Sequence, residues 1–282
     1  MKKLVGLFME QKYINSWANY TSWQDVTPPS RPAKWQLKTI RSVIQKYARN
    51  KAVAVLGSTI EYRDLLSELG FNNVFVFERN MAFFNYITPF AKTSLNERVV
   101  EGDWLETLPL YKNYFYIILS DLTSGNIPYD LRDSFYRSIS EALTVDGLYI
   151  DRILTNAAPY YELDYLLKKY SHKKITNHSI NTFNCEMLFC STLLNNKTVV
   201  DSSKIYDQLL SLNNDHISSF VYACYNITPR DCMWWYGNSW DRERLRYKQY
   251  FTILNTMDEP VNSPYYKHAS LIISRKYNRI TE

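Results

Sequence analysis

The sequence predicts an α/β domain whose strands form a parallel sheet joined by right-handed crossovers. Three observations carry this expectation. Ala52-Val53-Ala54-Val55-Leu56-Gly57-Ser58-Thr59-Ile60-Glu61 is an apolar run that stops at one glycine and opens into an amphipathic segment. Strand-like and helix-like patterns alternate around it from residue 36 to residue 154. Acids fall at the ends of successive strand-like runs, at Glu78, Asp103 and Asp121.

In chain order, residues 11 to 35 hold Tyr13, Trp17, Tyr20, Trp23 and Trp35, broken by Pro28, Pro29 and Pro32. This lead-in reads equally as a strap over a cleft or a tail packed on the core. Leu37, Ile40, Val43, Ile44 and Tyr47 then share one helical face. The run from Ala52 to Leu56 lacks polar alternation, as expected of a strand covered on both faces. Leu65, Leu66 and Leu69 mark the next helix, with Gly70 as its C-terminal cap. The start of that helix aims N–H groups at the space above the strand, and Gly57 has no Cβ to obstruct it, which suits a carboxylate or hydroxyl.

A second run, Asn73 to Glu78, ends in an acid 21 residues after Gly57. An acid there can accept hydrogen bonds from both ribose hydroxyls of a nucleoside ligand, or can instead cap a helix. Met81 is placed to cover an adenine face. Arg98 to Trp104 reads as a third strand ending in Asp103 and Trp104, positioned for the adenine amine and a ring nitrogen or for an ordinary Gly-Asp turn. Tyr114 to Leu119 form a fourth strand, followed by the polar loop Ser120 to Pro128, at the edge where open α/β sheets bind ligands. Asp130 to Leu143 are helical, Asp146-Gly147 is a turn, and Leu148 to Leu154 form a fifth strand.

Beyond Pro159 the pattern turns helical. Leu163, Leu166, Leu167 and Tyr170 mark one helix, and Ile205, Leu209 and Leu210 a second, capped by Ser202 or Ser203. Ile217, Phe220, Val221 and Cys224 mark a third, while Glu186 to Cys190 reads as strand or helix. Asp231 to Trp240 is an aromatic cluster suited to a pocket wall or a homodimer contact. Tyr250 to Leu254 and Ala269 to Ser274 form an antiparallel pair at the sheet edge.

Composition narrows the function. The chain of 282 residues can bury a substantial core, and it carries 24 tyrosines and 7 tryptophans against 7 glycines. A net charge of +5 without a run of five like charges argues against a nucleic-acid-binding arm. Cys185, Cys190, Cys224 and Cys232 lack metal-ligand spacing and fit free thiols in a reducing cytoplasm, and no metal site is expected. Residues 1 to 9 are too short and interrupted for a signal peptide, and no membrane-length apolar run occurs.

The order of these pieces resembles the class I S-adenosylmethionine-dependent methyltransferases, segment by segment over residues 36 to 154 and again over about 248 to 275. The resemblance implies a Rossmann-like seven-stranded sheet, parallel except for an antiparallel last strand, with a mainly helical insertion. It implies S-adenosyl-L-methionine as cofactor. Gly57, Ser58 and Thr59 match the loop at its methionine end, Glu78 the ribose acid, and Met81 the apolar residue against adenine. Asp103 and Trp104 match the adenine-amine position, and Asp121, Leu122 and Thr123 the loop under the sulfonium. The family's usual loop has two or three glycines; this one is similar to a Leu-Gly-x-Thr-x-Glu-x-Arg variant, in which Arg63 binds Glu61, binds the cofactor carboxylate, or is solvated.

The implied division is an N-terminal strap (1–35), a cofactor-binding core (36–158), a helical substrate cap (159–245) and a final strand pair (246–282). The expected function is methyl transfer to a small, aromatic or amphipathic metabolite, where in-line alignment does most of the work. The alternatives are an RNA or protein methyltransferase, for which Arg242, Arg244, Arg246 and Lys248 are the local basic residues, or a non-catalytic cofactor-binding descendant. Those basic residues alternate with Asp241 and Glu243, which reads as a solvated helix face. His172, His178, His216 and His268 lie in no motif, and the sequence names no catalytic base.

Overall fold

The computed structural model describes residues 23–277, except 24, 25, 29, 95, 155–160, 195–198, 229, 231, 236–239 and 267. Tyr13, Trp17 and Tyr20 of the lead-in, the boundary at residue 158, and Tyr236 to Ser239 of the aromatic cluster lie outside the described residues.

The core elements follow one another as α1 (Lys34–Ile44), β1 (Val53–Leu56), α2 (Ile60–Glu68), β2 (Val74–Glu78), α3 (Met81–Ile87), β3 (Glu97–Glu101), α4 (Trp104–Thr107), β4 (Phe115–Asp121), α5 (Arg132–Ala142) and β5 (Leu143–Leu154). Then come α6 (Leu163–Tyr170), α7 (Asn177–Phe189), β6 (Val199–Asp201), α8 (Ser202–Leu210), α9 (Asp215–Cys224), β7 (Met233–Trp235), α10 (Trp240–Tyr247), β8 (Phe251–Asp258) and β9 (Ala269–Lys276).

The main sheet has seven strands in the order β3-β2-β1-β4-β5-β9-β8. β1 to β5 pair in parallel, whereas β9 runs antiparallel to both β5 and β8. This is a Rossmann-like methyltransferase sheet, with β9 inserted between β5 and the edge strand β8. β1 lies near the middle and has no polar alternation because both its faces are covered. Val53 and Val55 pack with Ile40 and Ile44 of α1 and Leu65 and Leu66 of α2. Ala54 and Leu56 pack on the other side with Phe135 and Ile139 of α5. The register sets Leu56 beside Phe77 and Ser120, and Asp121 beside Arg152, so the ends of β1, β2, β4 and β5 meet at one edge.

Several local expectations change. β3 ends at Glu101, and the Asp103 side chain instead caps the short α4 by accepting from Leu105 N–H at 2.9 Å. Asp146-Gly147 does not separate α5 from the fifth strand; β5 starts at Leu143, and the register against β4 shifts between Phe115 and Ile117. A Cβ on Gly147 would lie 3.0 Å from the carbonyls of Phe115 and Thr144, so this irregularity admits only glycine without displacement. Glu186 to Phe189 are helical, the end of α7. Asp201, rather than Ser202 or Ser203, caps α8, accepting from Lys204 N–H at 3.3 Å. Buried Ser202 donates to the carbonyl of Arg230 at 2.6 Å.

The helices α6 to α9 share a separate core built on Leu166, Tyr170, Phe183, Leu188, Tyr206, Leu209, Phe220 and Val221. All four cysteines are free and buried. Among the described residues no helix is long and apolar enough to cross a membrane.

Arg63 follows none of its expected readings. Its guanidinium is buried under Phe84, 4.5 Å from the ring centroid, and donates to Glu97 Oε2 at 3.1 Å and Thr88 Oγ1 at 2.9 Å. It therefore ties α2 to the start of β3. Removing one member of a buried pair strands the other's charge. Arg63→Ala is expected to lower unfolding free energy in urea by about 3–5 kcal/mol, and the Arg63→Ala/Glu97→Ala double variant to lose less than the sum of the single changes.

Candidate active site

The loop after β1 depends on Gly57, whose φ of +86° is strained for residues with a side chain. Its N–H donates to the Phe77 carbonyl at 2.8 Å, and Trp104 Nε1 donates to the same oxygen at 3.0 Å. The glycine loop, the end of β2 and the start of α4 are thus tied at one atom. The next residue, buried Ser58, donates from Oγ to Glu78 Oε2 at 2.6 Å, while Asn80 N–H donates to Glu78 Oε1 at 2.8 Å. Burial raises the Glu78 carboxyl above its ordinary range, and these hydrogen bonds pull the other way. A carboxylate has about four lone-pair directions, so these contacts do not exhaust its capacity to accept.

Asp103 pairs with Arg79 Nη1 at 3.0 Å through Oδ2, while Oδ1 holds the α4 cap. Asp121, at the tip of β4, accepts from Arg152 Nε. Burial raises the Asp121 carboxyl, and the Arg152 guanidinium opposes that rise. Burial disfavours the charge on Arg152, but Asp121 and Glu259 outweigh it and raise the guanidinium's affinity for its proton.

A cleft of about 210 Å³ brings together Gly57, Ser58, Thr59, Glu78, Asp103, Trp104 and Asp121. Met81 and Leu122 are not among its lining residues. Met81 packs on the core beside β1 and β2, and Phe83, two positions along α3, lines the cleft instead. Residues two apart point to nearly opposite sides of a helix. Leu122 has a left-handed φ of 56° and turns its side chain into a second cavity. Asn126 and Ile127 line it from the polar loop expected at this edge, whereas Arg79 and Asn80 were missed as lining residues. Of these, only the capping asparagine Asn80, which accepts from Phe83 N–H at 3.0 Å, carries a local signal.

Trp23 from the lead-in also lines the cleft. Its backbone N–H donates to Tyr86 Oη at 3.0 Å, its ring meets Phe83 edge-on at 6.1 Å, and Arg31 lies 5.0 Å above it. Arg31 in turn pairs with Glu61 at the start of α2.

The second cavity, about 160 Å³, lies between this sheet edge and the helical insertion. Trp23, Asp121 and Asn126 line both spaces. From the insertion and the loop before β9 it takes Asn184, Phe189, Ile227, Thr228, Trp234, Trp235 and Tyr265. No histidine lines either cavity among the described residues. His268 is buried, which holds its ring at about 4, and His216 Nε2 lies 3.0 Å from the Lys173 carbonyl oxygen. Among the described residues no cluster of three or more His, Cys, Asp or Glu is grouped to hold a metal ion.

No protein-family model matches the sequence, and no curated protein is significantly similar to it. Solved structures match the fold at low identity. A Rhodobacter sphaeroides protein, provisionally described as a zinc-dependent alcohol dehydrogenase, is 14% identical, with coverage of 94% of this chain and 98% of that one and a TM-score of 0.59. The Burkholderia thailandensis 1,6-didemethyltoxoflavin-N1-methyltransferase, solved with 1,6-didemethyltoxoflavin and S-adenosylhomocysteine, is 10% identical, with coverage of 98% and 90% and a TM-score of 0.51. The N-methyltransferase NodS of Bradyrhizobium japonicum, bound to S-adenosylhomocysteine, is 7% identical, with coverage of 96% and 99% and a TM-score of 0.50. These likenesses, with the position of β9, establish the class I methyltransferase fold.

Behind the edge, on the α5 side of the sheet, Asp151 is fully buried and accepts from Ser120 Oγ. Burial pushes its carboxyl from 3.8 up to about 7, against hydrogen bonds from Ser120 and Tyr149. The folded state therefore holds this proton where the unfolded chain has released it, so Asp151's contribution to stability is greatest below about pH 4 and is lost as pH rises towards 7. The expected result is that wild type loses stability relative to Asp151→Asn across that window and levels off above it, measured by thermal unfolding at stepped pH.

Proposed function

We propose that this chain is an S-adenosyl-L-methionine-dependent methyltransferase acting on a small molecule held under the helical cap. The observation that carries the reading is the meeting of two cavities at Asp121, one framed by Gly57, Glu78 and Asp103 and the other by the cap. The fold supports the first assignment, because its relatives include methyltransferases solved with S-adenosylhomocysteine.

The residues present fit the cofactor. Buried Glu78 is prepositioned by Ser58 and Asn80 to take the ribose hydroxyls, and the open backbone at Gly57 admits the methionine end. Phe83 takes the place expected of Met81 at the adenine wall, beside Asp103 and Trp104. When bound, the cofactor supplies an electrophilic methyl group, so the protein's own contribution is alignment and exclusion of water. Trp23 and Asn126, shared by both cavities, stand at the passage between donor and acceptor.

In the basic stretch after residue 241, Arg242, Arg244 and Lys248 are exposed, but Glu243 and Arg246 are engaged with the core. Glu243 is buried against Arg132 at 3.3 Å and Tyr136 Oη at 2.8 Å, and Arg246 lies 4.1 Å over the Tyr129 ring and 3.3 Å from Asp133. These charges dock α10 on α5 and correct the reading of a wholly solvated face.

Isothermal calorimetry is expected to detect binding of S-adenosylmethionine and S-adenosylhomocysteine. Glu78→Ala is expected to weaken both by roughly 10- to 100-fold, the scale of lost hydrogen bonds to a charged group. If wild type binds neither compound, the cofactor assignment fails.

A further inference from the structure

We infer that the acceptor is an aromatic or apolar amine, taken up as its ammonium ion, and that Asp121 is the carboxylate that recognises its nitrogen. The inference rests on the proposed methyltransferase reading and narrows its substrate class.

The second cavity has an unusual balance. Trp23, Phe189, Trp234, Trp235 and Tyr265 supply aromatic wall, and Asp121 is the one charged side chain among the described residues that line it. Ring faces attract a desolvated cation through their quadrupole, and a single carboxylate adds direction to that attraction. A carboxylate or phosphate ligand would meet a like charge with no cation on the wall to offset it.

Asn184, Thr228 and Ser30, neutral polar groups of this cavity, already have partners. Asn184 Nδ2 donates to Thr228 Oγ1 at 2.8 Å, Asn184 Oδ1 accepts from Tyr206 Oη at 2.6 Å, and Ser30 Oγ lies 3.3 Å from Cys185 Sγ. Asp121 differs. Its side chain is only 8% exposed, and Arg152 is its one side-chain partner among the described residues, through Oδ1. Oδ2 is left for a ligand on a wall shared by both cavities.

The surrounding charge also calls for a cation. Arg152 serves two carboxylates, Asp121 and, at 3.9 Å, Glu259. Gln36 Nε2, a neutral donor, completes Glu259 at 2.7 Å. With both carboxyls ionised the group would hold one positive and two negative charges, and an ammonium ion beside Asp121 would neutralise it.

The chemistry balances without another reactant. The ammonium gives one proton to Asp121 Oδ2, which leaves a neutral amine with a free lone pair. That nitrogen forms the new N–C bond as the S–CH3 bond breaks, with the bonding pair leaving on sulfur. The product is the N-methylammonium ion, and the proton on Asp121 passes to solvent as the product leaves. Burial of the carboxyl, which favours its protonated form, makes it competent as a transient acceptor.

The test is calorimetric titration of wild type, with and without S-adenosylhomocysteine, by 2-phenylethylamine and tryptamine and by their matched alcohols and carboxylates. S-adenosylhomocysteine has no sulfonium charge, so an amine preference in its presence belongs to the acceptor cavity. The amines are expected to bind at least tenfold tighter than either matched set, and Asp121→Asn to abolish that preference. Equal or tighter binding of the alcohols or carboxylates overturns the inference, as does absence of amine binding or an unchanged preference in a folded Asp121→Asn protein. The wild-type comparison stands even if Asp121→Asn misfolds. Failure to bind S-adenosylhomocysteine would count against the methyltransferase reading, whereas its binding without amine preference would overturn this inference alone.

Discussion

The site depends on one buried cation. Arg152 lies near the end of β5 with no exposed side-chain surface, where an unpaired guanidinium would be very costly. It is tolerated because Asp121 arrives from the adjacent strand β4 and Glu259 from just beyond β8. Gln36 of α1 then completes Glu259 and also accepts from Ala33 N–H at 2.6 Å. One charge thus joins the first helix, two core strands and the turn after the edge strand. It also fixes the carboxylate at which the two cavities meet.

A second set of contacts closes the cleft from the N-terminal side. Glu61 and Arg63, two residues apart on α2, face opposite directions: Glu61 takes Arg31 of the lead-in, and Arg63 goes inward to Glu97. Burial raises the Glu61 carboxyl, and Arg31 offsets that rise. The pair holds Arg31 over Trp23, whose ring reaches both cavities. The Leu-Gly-Ser-Thr-Ile-Glu-Tyr-Arg segment therefore carries two oppositely directed charges, one bracing the sheet and one holding Arg31 of the lead-in.

What was legible in the sequence is what local physics encodes. Apolar runs of strand length, amphipathic spacing and Gly57 follow from backbone geometry over a few residues, so α1, β1, α2, β2, β4 and the helices α6, α8 and α9 could be read directly, whereas the short helices α3 and α4 could not. The acids at strand ends were legible because a strand's end is itself a local event. Errors arose where a local signal had two outcomes. Asp146-Gly147 looks like a turn, yet the glycine serves an irregularity inside β5. Met81 and Phe83 are both apolar residues at the start of α3, and only the helix phase against the sheet decides which reaches the cleft.

The sequence by itself determined the α/β succession and the positions of Gly57, Glu78, Asp103 and Asp121 near strand ends, because hydrogen-bonded backbone periodicity is short-ranged. Tertiary structure alone decided which charges are buried and with whom: Arg63 with Glu97, Arg132 with Glu243, Arg152 with Asp121 and Glu259. It also decided that the helical segment after β5 and the lead-in enclose an aromatic cavity against Asp121. The physical reason is that a charge carries no mark of its partner along the chain, and its pairing is settled only when folding removes the water that would otherwise solvate it.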